Sequence, residues 1–309
     1  MSSTHAAAMT DPILSTVRIR NLTKRFRHVT ALDHLDLDVQ PGEVLALLGA
    51  NGSGKSTTFR LLLNIYRPTE GEASLLGTPC TQLDGQAFDK ICYISESQKM
   101  PKWMRVDEFL SYCAGFYSDW DEAFCQRLVE SFGLPPKQKI KHLSRGQAMK
   151  VAVASTLPSR PKLLLLDEPF SGLDVETRAQ LSELLKSLAQ QDGLAIIITT
   201  HDVEEVEPVA SRLAILSHGK LHIDEPLEGY MQRHRYVAIT GIESEAVDES
   251  LLSFLKPLRS INTPASHFTE NFDPELKEKF ANKLPTEASV EFTPMTIRQI
   301  LTAHALPLQ

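Results

Sequence analysis

Eight consecutive residues, Gly49-Ala50-Asn51-Gly52-Ser53-Gly54-Lys55-Ser56, have the types and spacing of a phosphate-binding loop. Glycines at 49, 52 and 54 let the backbone turn so that successive N–H groups point at one anion. A helix that opens here, through Lys55, Ser56 and Thr57, adds its partial positive charge. Lys55 can reach β- and γ-phosphates, and the Ser56 hydroxyl can ligate Mg²⁺. A second group follows at Asp167-Glu168-Pro169, after four leucines. Asp167 can hold Mg²⁺ through water, and Glu168 can polarise an attacking water. A third candidate is His201, in Thr200-His201-Asp202, which could donate to a terminal phosphate. Each feature has a plainer reading: a glycine-rich turn, a solvated strand end, a polar cap. Together and in this order they point to phosphoryl chemistry.

These residues need rigid elements behind them. Val44 to Leu48 reads as a buried strand that delivers the loop, and Thr57 to Leu63 as the helix that leaves it. Leu163 to Leu166 is wholly apolar, as in a parallel sheet covered on both faces. Leu194 to Thr199 repeats that pattern. Ligands of open α/β sheets sit at the carboxyl ends of such strands, where Asp167, Glu168 and His201 fall. Upstream, Thr16 to Leu22 and Leu35 to Val39 alternate apolar with polar and predict a small antiparallel sheet. Phe26, in the turn Thr23 to Phe26, is the aromatic placed against a nucleotide base; a plain core phenylalanine is the alternative. Downstream, Ala73 to Leu76 and Ile91 to Ile94 read as strands, the second running into Ser95-Glu96-Ser97-Gln98.

From Val106 to about Leu134 the pattern is helical and rich in large residues. Trp103, Phe109, Tyr112, Phe116, Tyr117, Trp120 and Phe124 fall in or beside it. They fit a helical core or a groove for a partner helix. Leu143-Ser144-Arg145-Gly146-Gln147 opens a further helix, a second phosphate-binding end or merely a capped start. Ser171-Gly172-Leu173-Asp174 precedes a helix from about Val175 to Gln190. Strands are expected at Leu213 to Ser217 and Leu221 to Asp224. Beyond Arg235, a strand at Tyr236 to Thr240, helices at Glu245 to Leu255 and Pro274 to Leu284, a strand at Ser289 to Thr293 and a helix at Met295 to Ala303 predict a small α+β appendage. No metal or catalytic pattern shows in it.

At 309 residues the chain fits one large or two modest domains, and its 42% apolar content suffices for a sizeable core. A net charge of −7 and the lack of a basic stripe argue against nucleic acid as a partner. Cys80, Cys92, Cys113 and Cys125 lack zinc-finger spacing and read as reduced, packed thiols of a cytoplasmic protein. Residues 1–15 are small and polar, a disordered leader rather than a signal peptide. No apolar run approaches the roughly 18 residues of a membrane-spanning helix.

The order of phosphate loop, Glu96 loop, Leu-Ser-x-Gly-Gln, Leu-Leu-Leu-Leu-Asp-Glu-Pro, Ser-Gly-Leu-Asp and Thr-His-Asp resembles the nucleotide-binding subunit of ABC transporters, from about Val17 to Arg235. The resemblance implies an α/β fold: a P-loop NTPase core with an antiparallel β subdomain and a helical subdomain. The division is then 16–235 for the ATP-binding domain, with its helical subdomain at about 97–158, and 236–309 for the appendage. It implies Mg²⁺-dependent ATP hydrolysis by two subunits that sandwich two ATP molecules. Phe26 matches the adenine-stacking aromatic. Glu96 stands where most members have a Mg²⁺-contacting glutamine, with Gln98 as the alternative. Ser144, Gly146 and Gln147 match the signature that caps ATP on the opposite subunit; Asp174 matches the aspartate that couples the two sites, and His201 the switch histidine. A separate membrane-spanning permease is the implied partner, with the chain peripheral on the cytoplasmic face of the inner membrane.

One position departs from the pattern: Arg145 replaces the first glycine of the usual Leu-Ser-Gly-Gly-Gln. Ser144 and Gly146 are kept, so a working signature is expected. Ile94 to Asp121, with Phe116-Tyr117 before Trp120-Asp121, is most similar to small bacterial exporter-type ATPases and implies export. Two rival classes stand beside this one. A soluble ABC-type ATPase without a transporter partner shares the motifs. A chromosome or repair ATPase would need a long coiled-coil or zinc insertion, and neither shows.

Overall fold

A computed structural model describes residues 15–96, 98–241, 249–257 and 266–304. The expected leader, apart from Ser15, and the first part of the expected Glu245 to Leu255 helix lie outside the described residues.

The chain opens with an antiparallel pair, β1 (Val17–Phe26) and β2 (Val29–Val39), then enters β3 (Val44–Leu48) and helix α1 (Lys55–Leu62). Phe26, expected in a turn, closes β1 and pairs with Val29 across a tight reversal. β4 (Glu70–Leu75) and β5 (Thr78–Pro79) complete a first sheet of order β2-β1-β4-β5, all antiparallel. A short α2 (Gly85–Phe88) leads to β6 (Ile91–Ser95).

The helical stretch contains α3 (Val106–Ala114), α4 (Glu122–Ser131) and α5 (Arg145–Ala154). Where one continuous pattern was expected, α3 stops at Gly115 and α4 restarts at Asp121, whose carboxylate accepts the Phe124 N–H at 2.8 Å. Next come β7 (Leu163–Asp167), α6 (Val175–Asp192), β8 (Ala195–Thr200), β9 (Arg212–Ser217) and β10 (Lys220–Pro226). The central sheet runs β10-β9-β3-β8-β7-β6; its last five strands are parallel and β10 is antiparallel to β9.

Alternation along the apolar strands splits the core. Leu45 and Leu47, Leu163 and Leu165, and Ile197 face one cluster with Ile19, Leu35, Leu37 and Phe59 from the first sheet and α1. Ala46 and Leu48, Leu164 and Leu166, and Ile198 face the other, with Val106, Phe109, Leu128 and Val151 from the helices. All four leucines of β7 are fully buried. Truncating one to alanine would cost about 2–5 kcal/mol, so the strand is held firmly behind its two carboxylates. The four cysteines are free thiols; Cys80, Cys92 and Cys125 are buried and Cys113 is half-buried.

After β10, α7 (Leu227–Arg233) leads to β11 (Arg235–Thr240), α8 (Glu249–Leu252), β12 (Lys256–Pro257), β13 (Ser266–Thr269), α9 (Pro274–Lys283), β14 (Ser289–Pro294) and α10 (Ile297–Ala303). Their antiparallel sheet has the order β12-β13-β11-β14. It has a small core of its own around Val237, Ile239, Leu276 and Phe280. Phe268, Met295, Ile297, Ile300 and Leu301 instead join the large cluster under the central sheet.

Candidate nucleotide site

The parallel strands end side by side. Leu48 pairs with Thr200, and Asp167 lies between Thr199 and Ser95. This register brings the loop after β3, the carboxylates after β7 and the histidine after β8 to one edge. Two glycines make the loop possible. A Cβ on Gly49 would fall 2.2 Å from the Leu216 carbonyl oxygen, and one on Gly54, with φ of 117°, would fall 2.6 Å from that of Ala31. Any other residue would push the loop off its strand. Asn51 and Gly52 stand exposed at the tip, and Thr57 is half-buried in α1. Ser53 is buried, and its hydroxyl has no hydrogen-bond partner among the described residues. A polar atom in that position suits an added acceptor such as a phosphate oxygen.

Lys55 is 6% exposed. Its Nζ donates to the Gly49 carbonyl at 2.5 Å and lies 3.6 Å from Glu168 Oε1. Burial pushes the ammonium below its usual range, against the opposing pull of Glu168 and Asp167. Ser56 Oγ donates to Asp167 Oδ2 at 3.3 Å, and Thr199 Oγ1 donates to Asp167 Oδ1 at 2.5 Å. Tyr93 adds a longer contact, its hydroxyl 3.4 Å from Oδ2. A hydroxyl beside a carboxylate is a set of hard oxygen donors, which fits Mg²⁺. Glu168 has a φ of 52°, left-handed backbone that is costly for this residue type. Its Oε2 lies 2.9 Å from His201 Nδ1. Glu168 and His201, both expected at this edge, are in direct contact.

Other expected residues lie apart from the loop. Ser144 caps α5: its Oγ accepts the Gln147 N–H at 3.1 Å, and Gln147 Oε1 accepts the Ser144 N–H at 3.0 Å. Asp174 caps α6 by accepting from Thr177 N at 2.8 Å and Thr177 Oγ1 at 3.1 Å, which holds its carboxyl below the usual range. Gly146 is buried against that second cap; a Cβ there would lie 3.1 Å from Thr177 Oγ1. Among the described residues no hydrogen bond or ion pair joins Ser144, Gly146, Gln147 or Asp174 to the phosphate loop. Glu96 is bound by Arg145, whose Nη2 lies 2.7 Å from Oε1, a contact that sequence spacing did not signal. Phe26 is 40% exposed and meets Tyr66 edge to face at 5.4 Å, with Lys24 Nζ 5.0 Å above its ring. It is therefore not a core phenylalanine.

A phosphate loop at the carboxyl edge of a parallel sheet, flanked by an antiparallel sheet and a helical layer, defines an α/β P-loop nucleotide-binding protein. The ABC transporter family profile matches residues 32–171. The chain is 34% identical over 208 residues to an aliphatic sulfonates import ATP-binding protein of Pseudomonas savastanoi, covering 67% of this chain and 74% of that one. It is 35% identical over 225 residues to a sulfate/thiosulfate import ATP-binding protein of Xanthomonas campestris, covering 69% of this chain and 65% of that one. An uncharacterized ABC transporter ATP-binding protein of Bacillus subtilis is 36% identical over 207 residues, covering 65% of this chain and 68% of its own. Among solved structures, an ATP-binding subunit of an ABC transporter superposes with a TM-score of 0.64 at 25% identity, over 71% of this chain and 92% of the other. A dimeric, post-hydrolysis ATP-binding cassette bound to ADP and Pi gives 0.60 at 25% identity, over 68% and 98%. The chain belongs to the ABC transporter family of ATP-binding subunits. Import is the direction stated in the two named transport relatives, and neither supports the expectation of export.

Proposed function

We propose that this chain hydrolyses ATP as one half of a nucleotide-sandwich dimer and so drives a separate membrane-spanning permease. The observation that carries this reading is the convergence of Lys55, Asp167, Glu168 and His201, with Lys55 Nζ 3.6 Å and His201 Nδ1 2.9 Å from the Glu168 carboxylate. The phosphate loop, from Gly49 to Thr57, cradles the β- and γ-phosphates, with Lys55 as the point charge. Ser56 and Asp167 hold Mg²⁺, with Glu96 contributing on closure. Bound there, the ion neutralises charge on the phosphate oxygens. Glu168 takes a proton from the attacking water. The water oxygen bonds to the γ-phosphorus, and the bond to the β–γ bridging oxygen breaks, leaving that oxygen on ADP. His201 orients Glu168 and donates to the γ-phosphate. Phe26 stacks on adenine.

The signature residues Ser144, Gly146 and Gln147, unattached to their own loop, cap the nucleotide of the second subunit, and Asp174 couples the two sites. Residues 16–235 form the ATP-binding domain, with the helical subdomain at about 97–158, and 236–309 form an appendage that braces or regulates it. No described helix is long and apolar enough to cross a membrane. The chain works peripherally, at the cytoplasmic face of the inner membrane, against the permease. The relatives' names support a transport role over that of an ABC-type ATPase without a permease.

The test is Glu168→Gln. ATP binding should persist, turnover should fall at least ~100-fold, and an ATP-bound dimer should accumulate. Turnover near that of the unaltered protein would overturn the assignment.

A further inference from the structure

His234, Glu270 and His304 come from three separate segments, each the residue just past an element: α7, β13 and α10. One donor atom from each lies within 4.8 Å of the others, well apart in the chain from the nucleotide site. His234 is 1% exposed. Its Nδ1 lies 2.6 Å from the Tyr230 carbonyl oxygen, so the ring carries its proton there and turns the bare Nε2 inward. That Nε2 lies 3.3 Å from Nε2 of His304. On its far side, His304 Nδ1 lies 3.2 Å from Glu270 Oε1.

A neutral His304 cannot satisfy both neighbours. With its proton on Nδ1, the two Nε2 lone pairs face each other; with its proton on Nε2, the Nδ1 lone pair faces a carboxylate. A cation between the nitrogens resolves the conflict. Bonds of roughly 2.0–2.1 Å at a tetrahedral centre place two nitrogens about 3.3 Å apart, which is long for a hydrogen bond from N–H. A histidine locked by a backbone carbonyl through its other nitrogen is the usual support of a metal ligand. Burial pushes both imidazoles below their ordinary range. Lys256 Nζ lies 2.5 Å from Glu270 Oε1, but a carboxylate accepts at several sites and can serve both.

We propose that His234 and His304 bind a zinc-type divalent cation through their Nε2 atoms, with the Glu270 carboxylate holding His304 from its Nδ1 side. The ion pins the end of α10 and the segment after β13 to the end of α7, so it joins the C-terminal sheet to the ATPase core. Water fills the remaining positions.

The experiment is Co²⁺ titration of the full chain without nucleotide or Mg²⁺, followed by visible absorption, with Zn²⁺ added afterwards. Tetrahedral Co²⁺ absorbs strongly, whereas six-coordinate Co²⁺ at Ser56 and Asp167 absorbs weakly, so the two sites are told apart by spectrum. One strongly absorbing Co²⁺ per chain, displaced by an equivalent of Zn²⁺, is expected. His304→Ala and Glu270→Gln should each weaken it at least ~10-fold, the first by losing a ligand and the second by losing the partner that holds that ligand. Zn²⁺ should raise the Tm of the unaltered chain and not that of the variants. If His304→Ala does not fold, Glu270→Gln decides. Absence of strong bands, or bands of equal strength in a folded variant, overturns the site whatever the ATPase results.

Discussion

Arg145 Nη2 lies 2.7 Å from Glu96 Oε1, so the one departure from the family signature is tied to the loop after β6. A Cβ on Gly172 would fall 2.7 Å from the same guanidinium, so that glycine leaves the space Arg145 occupies. Both charged side chains are about half exposed, at 52% and 48%, so the pair contributes at most about 1 kcal/mol. Arg145→Ala should barely change Tm. Freed of its partner, Glu96 should lower the Mg²⁺ concentration for half-maximal ATPase by up to about fivefold, the same energy expressed as a ratio. An unchanged Mg²⁺ dependence would remove Glu96 from the metal set.

Lys55 is costly to keep. Its pKa is lowered by burial, so the charged ammonium opposes folding. That deficit eases only as pH rises from the lowered value towards that of an unfolded lysine. Lys55→Met should therefore weaken ATP roughly 10–100-fold while Tm holds or rises on the order of 2 °C. Nucleotide titration and thermal melting check both halves; a purely structural lysine would give the reverse.

Three aromatics near the Glu96 loop face outward: Trp103 at 70%, Phe116 at 66% and Tyr112 at 52% exposure. Tyr112 and Phe116 meet edge to face at 4.9 Å, one helical turn apart. Trp103→Ala should leave Tm nearly unchanged yet weaken co-purification with the membrane partner by about 2 kcal/mol or more, the weight of an interface anchor. Phe109, 6% exposed in the same helix, is core; its alanine variant should lose about 3–5 kcal/mol of stability instead. Intact complex formation by Trp103→Ala would move the docking surface elsewhere.

Glu205 is 5% exposed, accepts from Thr200 Oγ1 at 2.9 Å, and stands 3.8 Å from Arg178. Burial raises its carboxyl above the ordinary value of 4.5. The folded state thus holds this proton more tightly, and stability falls as pH climbs from the unfolded value through the raised one. Glu205→Gln removes that slope. The variant's Tm relative to the unaltered chain should be higher at pH 7 than at pH 4.5, by on the order of 2–4 °C. Equal differences at both pH values would show that folding leaves the Glu205 carboxyl unshifted.

Local chemistry was legible and long-range placement was not. The phosphate loop and the Asp167-Glu168 strand end announce themselves because a glycine pattern and an apolar run determine their geometry nearby. That Glu168 and His201 share one edge followed from placing two buried strands in one sheet; their direct contact was not legible. Arg145 and Glu96 are 49 positions apart, and nothing in either stretch marks the other. The same holds for His234 and His304, 70 positions apart, in a tail whose sequence shows no ligand spacing. Aromatic periodicity placed Phe109 and Tyr112 in one helix but could not say which one the core would take. The strands β12 and β13 went unread because two and four residues carry too little alternation to count.

Phe268, Met295, Ile297, Ile300 and Leu301 share one hydrophobic cluster with Val203, Val206 and Leu166. Arg298 adds ion pairs to Asp202 at 3.2 Å and Glu204 at 2.7 Å, just past His201. A continuous core is a unit of cooperativity: its parts melt together, because losing one exposes the other to water. The last helix is therefore no passenger. Ending the chain after Arg235 would strip apolar cover from the segment that holds His201, and the damage would be felt at the nucleotide rather than at the cut.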